Sequence, residues 1–266
     1  MPSVPPSDDH KTLAWWTVLR GIAVLNIVGW AATWGLVDAE QPSVRAHLGL
    51  SAIYVAACAF RSFWPRIDLE RTVLVDSPLS SIVAGRTAAT FAEVSFAIQV
   101  GLLVHQLGGA ADIPALQNNL PWLIVALLSL AQVFCWIGVV SLSHLGHAIE
   151  ESIWGLTFAV VTVALIWAAP ALEGTLRWLT FAAIPGCIAY VAFMGVVDVP
   201  MYVGRWRQGK QQGEVLMGLV EGFSDALRRR EATRSWAVWR PEVAWLTGYF
   251  SFAVWASLGM VHIATL

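Results

Sequence analysis

His144, His147 and Glu151 stand at i, i+3 and i+7 in the stretch SLSHLGHAIEES, residues 141–152. On a continuous helix that spacing puts two imidazoles and a carboxylate on one face. Such donors are a partial ligand set for zinc or iron, and they need a further ligand from elsewhere in the chain. Asp198, two residues before Pro200, is the candidate for that place. Imidazole is also the side chain most used as a general base, so His144 and His147 read equally as acid–base groups.

A second constellation lies in GRTAATFAEVSFAIQ, where Arg86 and Glu93 are seven residues apart. They return to the same helical face within about 20° and are separated by about 10 Å along the axis. Ala89, Thr90 and Ala97 share that face, a seam of small residues of the kind that packs against neighbouring helices in a membrane. An ionisable group at the centre of a spanning helix costs on the order of 3 kcal/mol, so it has to face protein or water. Glu93 then reads as a catalytic carboxylate, or as the proton acceptor of a transport path, with Arg86 holding an anionic group. The plainer alternative is that the two charges neutralise each other or cross-link the bundle through Asn26 and Gln132. Arg71, in RSFWPRIDLERTVLVDSPLSS, is a second candidate for an anionic headgroup, and Asp76 or Ser77 in that loop caps the next helix.

The elements that must carry these residues are membrane helices. Of 266 residues, 57% are apolar and only 13% charged, where a soluble domain has about a quarter of its residues charged. Seven stretches approach or exceed the length of about 20 residues that a spanning helix needs: residues 13–37, 47–64, 79–107, 120–142, 152–169, 176–203 and 243–266. The expected fold class is therefore all-α, a polytopic bundle of about seven transmembrane helices. Basic residues gather between the sixth and seventh stretches and between the second and third, which predicts a cytoplasmic amino terminus and an outer carboxyl terminus. The first stretch is too long for a cleaved signal and reads as an anchor. Residues 1–12 are expected to be a disordered tail and residues 13–266 a single transmembrane domain.

The cytoplasmic loop of that topology covers residues 204–240. Within it Val215, Leu219, Val220, Phe223 and Leu227 recur at intervals near three and four, ahead of Arg228, Arg229 and Arg230. The pattern predicts an amphipathic helix over residues 212–231, lying on anionic headgroups of the inner leaflet. A turn between the fourth and fifth stretches is expected near Gly146, and a turn there would break the face shared by His144, His147 and Glu151. Pro185-Gly186 predicts a kink in the sixth stretch.

Several residue types exclude more than they assert. Cys58, Cys135 and Cys187 lie in apolar runs and read as small core residues. Fifteen Trp fit interfacial anchoring for those near the ends of stretches, such as Trp15, Trp122, Trp178 and Trp239, and packing for Trp30, Trp136, Trp167 and Trp255. His105 and His262 could serve as axial ligands of a haem, although a lone His near a helix end more often anchors in the headgroups. Lys11 and Lys210, the only lysines, fall outside the stretches, which excludes a retinal Schiff base. With a net charge of −2 and the positive residues collected in one segment, nucleic acid is not a partner.

These readings converge on a membrane-embedded enzyme, metal-dependent in one version, acting on a lipid or amphiphile at the cytoplasmic leaflet of a plasma or inner membrane. Glu93, His144 and His147 are its expected catalytic residues, Arg86 and Arg71 its substrate-binding residues, and His144, His147, Glu151 and Asp198 its metal ligands. Two rivals remain open: a proton- or ion-coupled transporter or channel built on Arg86 and Glu93, and a non-catalytic subunit of an oligomer or larger membrane complex. No motif fixes the reaction.

Overall fold

Inside a bilayer no water pairs with backbone groups, so each apolar stretch has to close its own hydrogen bonds as a helix. The computed structural model describes residues 9–266, and among them seven helical spans are long and apolar enough to cross a membrane. They are Asp9–Leu36, Pro42–Phe63, Ile82–Ala110, Ala115–Ser141, His144–Ala171, Gly174–Gln211 and Trp236–Ile263. The first eight residues of the expected tail lie outside the described residues, and residues 9–12 already belong to the first helix. The fifth span starts at His144 and not at residue 152. The polar stretch over residues 141–152 is thus mostly helix.

In finer detail the helices are α1 (Asp9–Leu36), α2 (Pro42–Phe63), α3 (Ile82–Ala110), α4 (Leu120–Ser141), α5 (His144–Ala168), α6 (Gly174–Phe193), α7 (Val199–Gln211), α8 (Leu219–Arg228), α9 (Trp236–Gly248) and α10 (Val254–Ile263). Wider π turns at Ala115–Asn119, Met194–Asp198 and Tyr249–Ala253 lead into α4, α7 and α10. The π turn before α7 has a local cause. Pro200 has no N–H to give, and its ring crowds the carbonyl four residues earlier, that of Val196, so the helix widens there. The sixth span also widens at this turn, while Pro185, where a kink is expected, lies inside α6. At 38 residues the whole span would be about 57 Å long as an ideal α-helix, against a hydrocarbon core of about 30 Å. Part of it must project.

The chain divides into two compact units. One holds the chain up to Ala92 together with Ala226–Val261, and the other holds Glu93–Asp225 with His262–Leu266. In the first unit α1 packs on α2 and α9. The π turn there leaves a carbonyl that α1 satisfies: Asn26 Nδ2 donates to Phe250 O at 2.7 Å, and its Oδ1 accepts from Trp255 Nε1 at 3.1 Å. Trp15 and Trp239 are buried against each other rather than anchoring in headgroups, with ring centroids 5.7 Å apart. Their indole N–H groups donate to Thr247 Oγ1 and to the Thr233 carbonyl. Trp122 and Trp178 are exposed, as anchors would be.

The loop after α2 folds into a small sheet with residues that follow α8. Strand β1 (Arg66–Ile67) pairs antiparallel with β2 (Thr72–Val73), and β2 pairs parallel with β3 (Glu231–Ala232). Arg71 turns the corner in the left-handed region, with φ of 53°. It is fully buried, its Nη1 donates to Asp68 O, and its own carbonyl accepts from Glu231 N. Arg66 is also buried, donating to the carbonyls of Trp64 and Ser81. Burial pulls the pKa of its guanidinium down to about 10, which leaves it charged at neutral pH. Ser77, not Asp76, caps the turn before α3 by accepting from Leu79 N, while Asp76 pairs with Arg230 Nε at 3.1 Å.

Candidate functional site

The second unit is organised by α5, which packs on α4, α6 and α7. Helix α4 ends where Leu142 takes left-handed backbone angles, φ 60° and ψ 34°. Ser143 N then donates to Gly138 O at 2.8 Å, closing the helix end, and α5 begins at His144. The turn is therefore at Leu142, four residues before the position expected, and Gly146 lies inside α5. Its role is contact: a Cβ there would stand 2.5 Å from Gly138 Cα and 2.8 Å from Phe134 O. The two helices cross backbone to backbone at Gly138 and Gly146. That crossing sets His147 beside Cys135 on α4.

His147 is the centre of the site. Its Nδ1 lies 2.8 Å from Glu150 Oε2 and 3.9 Å from Cys135 Sγ. The ligand-type atoms of Cys135, His147 and Glu150 all fall within 4.8 Å of one another, and all three residues are buried. Among the described residues this is the one group of three metal-type donors so arranged. Glu150 follows His147 by three residues on the same helix, so α5 itself holds the pair. An ionised carboxylate only accepts, which assigns the Nδ1 proton to the imidazole; in the neutral ring Nε2 then carries a bare lone pair. Nε2 is buried and makes no hydrogen bond.

The sixth span supplies the opposite wall. Gly155 on α5 lets Met194 of the π turn approach to 3.2 Å of where a Cβ would be. One turn on, Asp198 is buried and interacts electrostatically with Glu150, His147 and Arg205. Its Oδ2, like His147 Nε2, has no hydrogen bond. Tyr202 stacks on His147 with ring centroids 5.2 Å apart and planes at 27°, and it touches His144 at 6.3 Å. Leaving a buried polar atom unpaired costs about 1–3 kcal/mol, so a cluster kept only for packing would have been expected to lose these two.

Glu93 sits on α3 and accepts a hydrogen bond from Gln132 Nε2, both side chains being buried. Gln132 precedes Cys135 by one turn of α4, which extends the polar line from His147 toward the middle of the span. The other end is covered by residues around α8. Met217 N donates to Ser141 O, Gly222 lies directly against Val140 O, and Phe223 stacks on Trp136 at 6.4 Å. Helix α8 is shorter than the predicted 212–231. It keeps Leu219, Val220, Phe223 and Leu227 exposed.

The structure thus brings together His147, Asp198 and, at the edge of Tyr202, His144. Glu151 interacts electrostatically with Tyr202 but is not in the convergent group. Arg71 and Arg86 belong to the first unit, both buried. His105 Nδ1 donates to the Gln117 carbonyl at 2.7 Å, at the end of α3 away from Glu93. Cys135 and Glu150 are the residues that sequence reasoning left out of the ligand set. For Glu150 a signal existed, because i+3 from His147 is as good a spacing as i+7 from His144. For Cys135 none did, since only the α4–α5 crossing distinguishes it from an ordinary core cysteine. No family model, no curated protein and no solved structure matches this chain.

Proposed function

We propose that this polytopic membrane protein is a membrane-embedded enzyme whose reacting centre is the cluster of Cys135, His147, Glu150, Asp198 and Tyr202. The observation that carries the reading is the buried imidazole of His147, oriented by Glu150 and left with an unpartnered Nε2 facing low-dielectric surroundings. A carboxylate-held imidazole with a bare nitrogen is the equipment of a general base or a metal ligand. Its depth suggests the substrate class. Cys135 is six residues from the end of α4 and His147 three from the start of α5, or about 9 Å and 4.5 Å into the span. That matches the boundary between headgroups and acyl chains, about 5–10 Å below the surface, where the reactive bond of an amphiphile lies. The distribution of Arg supports placing this end on the cytoplasmic side, with the exposed apolar stripe of α8 in the leaflet and Arg228, Arg229 and Arg230 among anionic headgroups.

The test is lipid turnover by the full chain reconstituted in vesicles of a total polar lipid extract, followed by mass spectrometry. The parent protein is expected to consume one lipid class and release a matching product. Glu150→Gln, which keeps the shape but removes the charge that orients His147, is expected to slow this by about 10²-fold or more. An unchanged lipid profile with the parent protein would overturn the enzyme reading.

A proton-coupled transporter is the second reading, and one contact favours it: Glu93 is tied through Gln132 to the turn that carries Cys135, so a line of polar side chains runs along α4. In vesicles loaded with a pH-sensitive dye, the parent would then carry protons and Glu93→Gln would not. Equal flux in the two would remove Glu93 from any path.

A further inference from the structure

We propose that Cys135 Sγ, His147 Nδ1 and Glu150 Oε2 are the three protein ligands of a divalent metal centre, zinc by its donor chemistry. The inference rests on the enzyme reading above and takes its metal-ligand form, in which Nδ1 binds the ion and Nε2 carries the ring proton and is not the base. Its first support is convergence. In a relay of thiol nucleophile, imidazole base and orienting carboxylate, the thiol and the carboxylate engage opposite nitrogens of the ring. Here both approach Nδ1, at 3.9 and 2.8 Å, and Nε2 points away from either. Three donors around one point describe a coordination site and not a relay.

The distances fit after small movements. With metal bonds of about 2.0–2.3 Å to nitrogen, oxygen and sulfur, a tetrahedral centre separates its ligand atoms by about 3.3–3.6 Å. The Nδ1–Sγ separation of 3.9 Å must shrink and the Nδ1–Oε2 separation of 2.8 Å must widen, each by less than about 0.6 Å. Sγ and Oε2, which lie within 4.8 Å of each other, close to about 3.6 Å by side-chain rotation. A thiolate, an imidazole and a carboxylate together suit zinc among the divalent metals a cell offers. Three protein ligands leave the fourth tetrahedral position for water or substrate, the pattern of a catalytic zinc and not a structural one.

The two unpaired atoms complete the case. A metal on Nδ1 requires the ring proton to reside on Nε2, and metal-bound histidines generally donate that second N–H to a carboxylate. Asp198 lies within electrostatic range of His147, and its Oδ2 is buried with no donor. With the neutral ring's proton on Nδ1, His147 Nε2 and Asp198 Oδ2 are both acceptors, and neither has a hydrogen-bond partner. With an ion on Nδ1 the single proton of the neutral ring moves from Nδ1 to Nε2, where Asp198 can accept it and act as the positioning residue. Tyr202, stacked on the ring, keeps the imidazole plane in register.

The experiment uses the full chain purified in detergent. Mass-spectrometric metal analysis is expected to find about one zinc per chain, retained in His144→Ala and lost in His147→Ala and Cys135→Ser. Asp198→Asn should weaken zinc binding by about 10–100-fold without abolishing it. Because a variant can fail to fold, the parent protein is also exchanged with cobalt, where a thiolate ligand gives a charge-transfer absorption in the near ultraviolet. A cobalt-loaded parent without that band, or zinc retained in both His147→Ala and Cys135→Ser, overturns the proposal. The outcomes separate it from the enzyme reading: metal bound at this site without lipid turnover sustains the centre alone, and lipid turnover by a metal-free chain overturns it.

Discussion

Gly146→Ala is expected to unfold at a lower temperature than the parent and to lose the alignment of Cys135 with His147. An added Cβ would stand 2.5 Å from Gly138 Cα, 2.6 Å from Gly138 N and 2.8 Å from Phe134 O. All three are backbone atoms, so no rotamer change relieves the contact. Reaching ordinary contact, 3.4 Å or more, requires α4 and α5 to part by about 1 Å, and overpacking of this kind costs about 1–3 kcal/mol. The gain in helix propensity on replacing Gly with Ala, about 1 kcal/mol, only partly offsets it. Parting the helices also carries Cys135 away from His147, whose backbone N is itself close to Gly138. Thermal unfolding in detergent measures the first effect. Gly21→Ala is the control with the opposite sign, since no atom lies within 4 Å of a Cβ there and the substitution should stabilise α1. An unchanged midpoint for Gly146→Ala would mean that the crossing is not the close contact described.

The two roles of Gly146 show why the spans were legible in the sequence and the site only in part. An apolar run of about 20 residues has one way to satisfy its backbone in lipid, so seven runs give seven helices. A glycine in a polar stretch has two, a turn or a close helix contact, and only its partner decides between them. Gly138 lies four residues before Leu142 and Gly146 four after, so the two meet when the chain reverses at Leu142 and not elsewhere. The same reversal brings Cys135 to His147. In sequence, Cys135 in an apolar run is indistinguishable from Cys58 or Cys187. Glu150 and Glu151 differ by about 100° around α5, and which of them faces His147 depends on where the helix starts. Arg71 shows the opposite limit. Its charge suggested a headgroup, but a left-handed corner and a three-stranded pairing bury it, and neither is written in local spacing.

His147→Ala should reduce lipid turnover by about 10²–10⁴-fold, and His144→Ala should change it little. The two histidines are indistinguishable by type and spacing, both sit on α5, and both contact Tyr202. The structure separates them by what surrounds each ring. His147 is held at Nδ1 by Glu150 and lies beside Cys135, while His144, one turn nearer the start of α5, is outside the group of converging donors. Loss of the imidazole at 147 also removes one hydrogen-bond partner from buried Glu150, which lowers stability whatever the ring's role. Stability alone therefore cannot distinguish a reacting residue from a packing one. His147→Gln makes the distinction, because its amide can still donate to Glu150 but can neither accept a proton at neutral pH nor bind a metal as imidazole does. A folded His147→Gln protein without turnover places the chemistry on the ring. One that turns over lipid at the parent rate would reduce His147 to a strut between α4 and α7, and the enzyme reading would lose its centre.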